Sequence, residues 1–135
     1  MPETSSDPIP TDKMSLMNQD TWWVDKRGRV HELATMDPRH RANLLPFLRR
    51  NAWHYNSQCW FEHMRYAPTG HMSDGVADAM DAIEFELGLD PEEWLERTPL
   101  MTKLREYEAE RTLIDKIRTK VHNRTYPLRR RFYRG

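Results

Sequence analysis

The sequence predicts a mainly α protein: a small helical bundle with a short N-terminal β-hairpin and flexible termini. Three observations lead there. A capping side chain stands directly before proline at Asp37-Pro38, Asp90-Pro91 and Thr98-Pro99. Each pair joins an oxygen that accepts a free backbone N–H to a residue with preset φ and no amide hydrogen to lose, which marks a helix start. Behind these starts the apolar residues return at helical spacing. One segment, residues 21–33, instead pairs two short β-prone runs across a glycine turn. At 135 residues the chain is of single-domain size. Charged residues make up 31% and mean hydropathy is −0.91, yet five Trp, five Tyr and four Phe give a core something to bury.

Taken in order, residues 1–19 are rich in Pro, Ser, Thr and Asp and read as a flexible arm. Residues 21–24 and 29–33 are the β-prone runs, and Gly28 supplies the positive φ of a tight turn. A lone two-stranded hairpin is marginal in water, so Trp22, Trp23 and Val30 are expected to lean on the helices. The first helix opens at Asp37-Pro38 and carries Leu44, Leu45, Leu48, Ala52, Tyr55 and Cys59 at helical spacing. Pro46 lies inside that run and predicts a kink or break near residues 42–46. Residues 47–66 then form a second piece, with Trp53, Trp60, Phe61, Met64 and Tyr66 set against the core.

Pro68 and Gly70 break the chain. Ser73 or Asp74 caps a helix over 75–87 with Val76, Met80, Ile83 and Leu87 facing inward and Gly88 as its stop. A short helix over 91–97 turns Trp94 and Leu95 inward. The longest helix opens at Thr98-Pro99, with Leu100, Leu104, Tyr107, Ile114, Ile117 and Val121 as its stripe. Positions 100, 107, 114 and 121 repeat every seven residues, as in a coiled-coil seam. Lys103, Glu110, Arg111 and Arg118 interrupt the repeat, which favours a helix packed in a bundle over a self-pairing coil. The organisation is therefore an arm (1–19), one helical domain (20–123) with its hairpin at 21–33, and a tail (124–135).

The formal net charge is zero, but its distribution is uneven. Residues 74–96 carry nine acids and no Lys or Arg, whereas residues 118–134 carry seven bases and no acid. Helix polarity explains only part of this. In the tail, Arg124, Tyr126, Arg129, Arg130, Arg131, Phe132 and Tyr133 mix guanidinium groups with aromatic rings. That composition suits phosphate and base contacts, and it equally suits docking on an acidic protein surface. These seven residues are the candidate partner-binding site. A secondary basic patch, Arg39, Arg41, Arg49 and Arg50, lies on the first helix.

Signals for chemistry are thin. Cys59 and His63, four apart on a helix, with His54 and His71 nearby, are the only hint of a metal site. No Cys-x-x-Cys or His-Glu-x-x-His accompanies them, so a buried thiol with histidines at a helix surface is the reading, and no metal or cofactor is expected. With only five glycines and no phosphate loop, catalysis is not expected either. A single cysteine excludes an internal disulfide. No apolar run approaches the ~18 residues of a membrane span, and the first residues do not resemble a secretory leader. The expectation is a cytoplasmic protein.

Residues 23–50 resemble a motif of small proteins from tailed bacteriophages: W-x4-G, then M-D-x2-H-x2-N-L-L-x2-L-x-R. The matching residues are Trp23, Gly28, Val30, Leu33, Met36, Asp37, His40, Asn43, Leu44, Leu45, Leu48 and Arg50. Pro46 departs from a smoothly helical version. The resemblance implies a phage accessory protein at work in a bacterial host's cytoplasm, and it implies no catalytic residue and no ligand. His40 and Asn43 are expected either to satisfy unpaired hairpin backbone groups or to bind a partner. The function expected is that of a non-enzymatic interaction protein acting on a host protein or complex. The alternatives are a nucleic-acid or ribonucleoprotein binder and a self-associating virion or assembly component. No membrane partner is expected.

Overall fold

The computed structural model describes residues 8–66 and 72–125. Their order is α1 (Lys13–Met17), β1 (Trp22–Val24), β2 (Val30–Glu32), a 3-10 turn (Leu33–Thr35), α2 (Pro38–Arg50), α3 (Ala52–Tyr66), α4 (Asp74–Leu87), α5 (Pro91–Glu96) and α6 (Pro99–Thr125). The fold is mainly α with one two-stranded antiparallel hairpin, as the sequence predicts. Among the described residues, no helix is long and apolar enough to cross a membrane.

Part of the segment expected to be a flexible arm, residues 1–19, is folded onto the body. Residues 13–17 form a helix whose Leu16 and Met17 lie in the core. Asp12 and Ser15 make a reciprocal capping box. The next two free amides are capped from a distance: Lys13 and Met14 donate to the two carboxylate oxygens of Glu62 on α3, at 2.9 and 2.8 Å. Gln19 then ties α1 to the hairpin. Its amide nitrogen donates to the carbonyls of Leu16 and Trp22, and its oxygen accepts from the N–H groups of Thr21 and Trp22, so both ends of the amide are saturated.

The hairpin pairs Trp22 with Glu32, Trp23 with His31 and Val24 with Val30. Gly28 has φ +79°, where a side chain would be strained. The Asp25 carboxylate closes the turn by accepting from the amides of Arg27 and Arg29 and meeting His31 Nε2 at 3.1 Å. Of the three residues expected to lean inward, only Trp23 is buried; Val30 is exposed and Trp22 is half-buried. Strand alternation puts Trp23 opposite in facing to Val24 and Val30, so Trp23 enters the core while Val24 packs only at its margin.

α2 starts at Asp37-Pro38 as expected, with the Asp37 carboxylate accepting from Arg39 N–H. Pro46 does not break it. The proline ring is exposed, and burial of Leu44, Leu45 and Leu48 on the opposite side holds the helix through the missing bond. The interruption falls at Asn51 instead. Its side chain donates to the Phe47 carbonyl at 2.8 Å, its N–H reaches Phe47 and Leu48, and its own carbonyl accepts from Tyr55.

On α3 the inward stripe is Ala52, Tyr55, Asn56, Cys59 and His63. A 3.6-residue period admits one inward stripe, so Trp53, Phe61 and Met64 are turned outward and Trp60 is partly covered, while the side chain of Tyr66 lies outside what the structure describes. α4 is docked through its end: Leu87 is buried, Ile83 packs on the core, and the Leu87 carbonyl accepts from both Asn56 Nδ2 (3.1 Å) and Trp60 Nε1 (2.9 Å). Val76, at the other end of its expected core face, is exposed. α5 buries Trp94 and Leu95 as predicted.

Thr98 opens α6, its hydroxyl accepting from Met101 N–H and donating to Leu95. Leu100, Met101 and Leu104 are buried and Tyr107 packs beside them. Every residue from Ala109 to Val121 is exposed. The predicted stripe is thus divided: its first half is core, and Ile114, Ile117 and Val121 face solvent.

Candidate interaction surface

The four residues of the secondary basic patch do not act together. Arg41 is structural: Nη1 donates to the Leu33 carbonyl at 2.9 Å, and its guanidinium lies 3.9 Å from the centre of the Tyr107 ring. It thereby satisfies the hairpin exit, the task expected of His40 and Asn43. Arg49 Nε holds Glu96 Oε1 at 2.7 Å, and Arg105 holds the other oxygen. Those two guanidinium groups keep the Glu96 carboxyl below its ordinary range. Arg39 is exposed on the solvent side. Arg50 lines the groove between the hairpin and α2. In the tail, Arg124 falls in the last turn of α6, while Tyr126, Arg129, Arg130, Arg131, Phe132 and Tyr133 lie outside the described residues.

Cys59, His63 and His54 differ in burial and facing. Cys59 is fully buried, and removal from water pushes its thiol up to about 12, far from a reactive thiolate. His63, expected at the surface, is buried, with Nε2 3.2 Å from Glu84 Oε1. His54 is exposed on a different side of α3, and His71 lies outside the described residues. Among the described residues, no three potential ligands cluster.

What the fold does assemble is a groove of about 650 Å³ between the hairpin, the start of α1, one side of α2 from His40 to Arg50 and the first turn of α3. Its floor is aromatic. Phe47 stands edge-on to Trp23 (ring centres 6.2 Å apart, planes at 83°) and to Tyr55 (6.5 Å, 74°), the geometry that ring quadrupoles prefer. Lys13, Lys26 and Arg50 rim it, with His40, Asn43, Asn51 and His54 between them. Its one carboxylate among the described residues, Asp25, is already engaged by His31 and two turn amides, which hold its pKa below the usual range. The rim is therefore cationic over an apolar floor.

On α3 the groove's His54 adjoins the outward stripe. Trp53 is 72% exposed, Phe61 62% and Met64 66%. Large side chains so exposed on one helical face form an apolar patch beside the charged groove, and such patches mark interaction sites. The sequence carried all these residues but not their juxtaposition, because the groove joins residues 13, 23–26, 40–51 and 54–55 through tertiary packing. The one local signal was Phe47, an aromatic on the polar side of an otherwise regular amphipathic helix. Comparison of the chain with protein-family models, with curated proteins and with solved structures finds no match.

Proposed function

We propose that this is a non-enzymatic binding protein that captures a host protein in the bacterial cytoplasm, seating an acidic segment with an aromatic or aliphatic anchor in the groove. The carrying observation is the groove itself: Trp23, Phe47 and Tyr55 beneath Lys13, Lys26 and Arg50. An apolar anchor desolvates against the rings, and carboxylates on the same segment meet the three cations, which set encounter rate and partner choice. The exposed Trp53, Phe61 and Met64 extend the contact beyond the groove with residue types enriched in interfaces. The resemblance to phage accessory proteins supports the same place, since Trp23, His40, Asn43, Leu44 and Arg50 of that segment all line the groove.

The test is selection of random peptides displayed on a surface against the immobilised full chain. Enrichment of acidic peptides bearing Trp, Phe or Leu is expected. Arg50→Glu and Phe47→Ala should each weaken the best peptide at least ~10-fold, while Arg39→Glu, outside the groove, should leave it unchanged. Peptides without acidic character, or indifference to Arg50→Glu, would refute the reading. So would tight, steeply salt-dependent binding of a labelled RNA or duplex that survives Phe47→Ala, which is the signature of phosphate contacts.

A further inference from the structure

We propose that the outer half of α6 docks on the outward face of α4 in a second copy of this chain. Helix α6 continues past its last core residues for more than three turns with every side chain through Val121 exposed. Leu113 (58% exposed) and Ile114 are adjacent, Ile117 (53%) and Val121 follow Ile114 at three and then four residues, and the four form one apolar stripe. Lys116 and Lys120 border it on one side, Arg111 and Arg118 on the other. Arg111 is engaged by Glu108 and lies near Asp115; Lys116, Arg118 and Lys120 have no acidic partner among the described residues. A bare helix of this length is marginal in water without a packed face, so the stripe calls for a cover.

The α4 surface supplies its complement. Asp74, Asp78 and Asp81 follow one another at four and three residues, and Phe85, 64% exposed, stands four further on. All four share the face opposite the docked residues Ile83 and Leu87. None of the three aspartates meets a base among the described residues. The two surfaces match in length, since 11 or 12 helical residues span about 16 Å in each. They are opposite in charge: the apolar stripe of α6 is bordered by lysine and arginine, and the α4 face is a row of three aspartates that ends in the aromatic Phe85.

Pairing α6 with α6 of another copy is disfavoured, because the flanking cations of both helices would then face each other across the seam. One helix pair buries less than a standard interface, so a single contact is weak. Two copies that exchange the contact reciprocally double it and close as a dimer.

Sedimentation equilibrium of the full chain is the assay. The mass should rise above the 16.2 kDa monomer with concentration up to about 0.5 mM, and less so in high salt. Two charge-reversed variants are needed: Lys116→Glu/Arg118→Glu/Lys120→Glu on α6, and Asp74→Lys/Asp78→Lys/Asp81→Lys on α4. All six positions are exposed, and circular dichroism confirms that each variant keeps its helix content. Each alone should associate at least ~10-fold more weakly than wild type, and an equimolar mixture should recover association, since each contact then again joins opposite charges. A strictly monomeric wild type would overturn the assignment. So would association that survives the α4 reversal, which would point to α6 pairing with itself, or association lost on truncation after residue 125 but insensitive to the α6 reversal. Binding of the α6 face to a labelled duplex or to phosphatidylserine vesicles, without self-association, would equally overturn it.

Discussion

Glu62→Ala should detach α1 from the body, although the mutated residue lies 49 positions away in sequence. In the wild type the carboxylate accepts from the amides of Lys13 and Met14 at 2.9 and 2.8 Å, which is a helix cap delivered by another helix. A bond to a charged acceptor contributes roughly 1.5–3 kcal/mol when buried, and loss of an N-cap typically costs about 1 kcal/mol. These two bonds are half-buried, so water recovers part of each, and their joint loss amounts to about 2 kcal/mol. For a domain of this size that is a fall of about 8 °C in Tm. The loss should be concentrated in α1. Hydrogen exchange at Leu16 and Asn18, whose amides bond Asp12 and Met14, should accelerate before that of α2 or α3. Urea unfolding gives the total, and exchange gives its location. A loss below about 0.5 kcal/mol, with exchange at residues 16–18 unchanged, would refute the idea that Glu62 anchors this helix.

Leu16→Ala, in the core at 2% exposure, should cost about 2–4 kcal/mol in urea unfolding; a mobile arm would lose nothing. Pro46→Ala should stabilise by about 1–2 kcal/mol in the same assay, because it restores the amide that can bond Ala42 and removes a ring from a helix interior, less the gain in unfolded-chain freedom. Glu96 has its pKa lowered by Arg49 and Arg105. Its contribution is therefore complete above the ordinary carboxyl value of 4.5 and is lost as pH falls through the depressed folded value. Glu96→Gln should flatten that acid limb of the stability curve and leave its slope near neutrality unchanged. Cys59, raised to about 12 by burial, should react with a disulfide reagent at neutral pH far more slowly than a free thiol, and rapidly in urea; prompt reaction of the folded chain would contradict the burial.

The helix starts were legible because their chemistry is local. Asp37-Pro38, Asp90-Pro91 and Thr98-Pro99 each place the capping atom within three residues of the amides that need it. α1 was not legible, because half of its cap comes from Glu62 and its apolar content is only Met14, Leu16 and Met17, too short a run to show a period. α3 misled in another way: two apolar stripes run along one helix, and only packing decides which is buried. Pro46 shows the limit of a local rule, since three leucines on the far side outweigh one missing bond. The groove depends on four elements meeting. No reading of spacing along the chain brings Lys13, Trp23, Phe47 and Tyr55 together.

Both Asn56 and Trp60 grip a single carbonyl, that of Leu87, and the adjacent Glu84 meets His63, whereas the first turns of α4 touch little among the described residues. The helix is consequently mounted like a lever clamped at its heel. Thermal fraying or a protease would enter from the toe, at Ser73 and Asp74, and run toward a fixed pivot. A visitor seizing the aspartates could reorient them at small cost while the clamp and the core behind it stay in place.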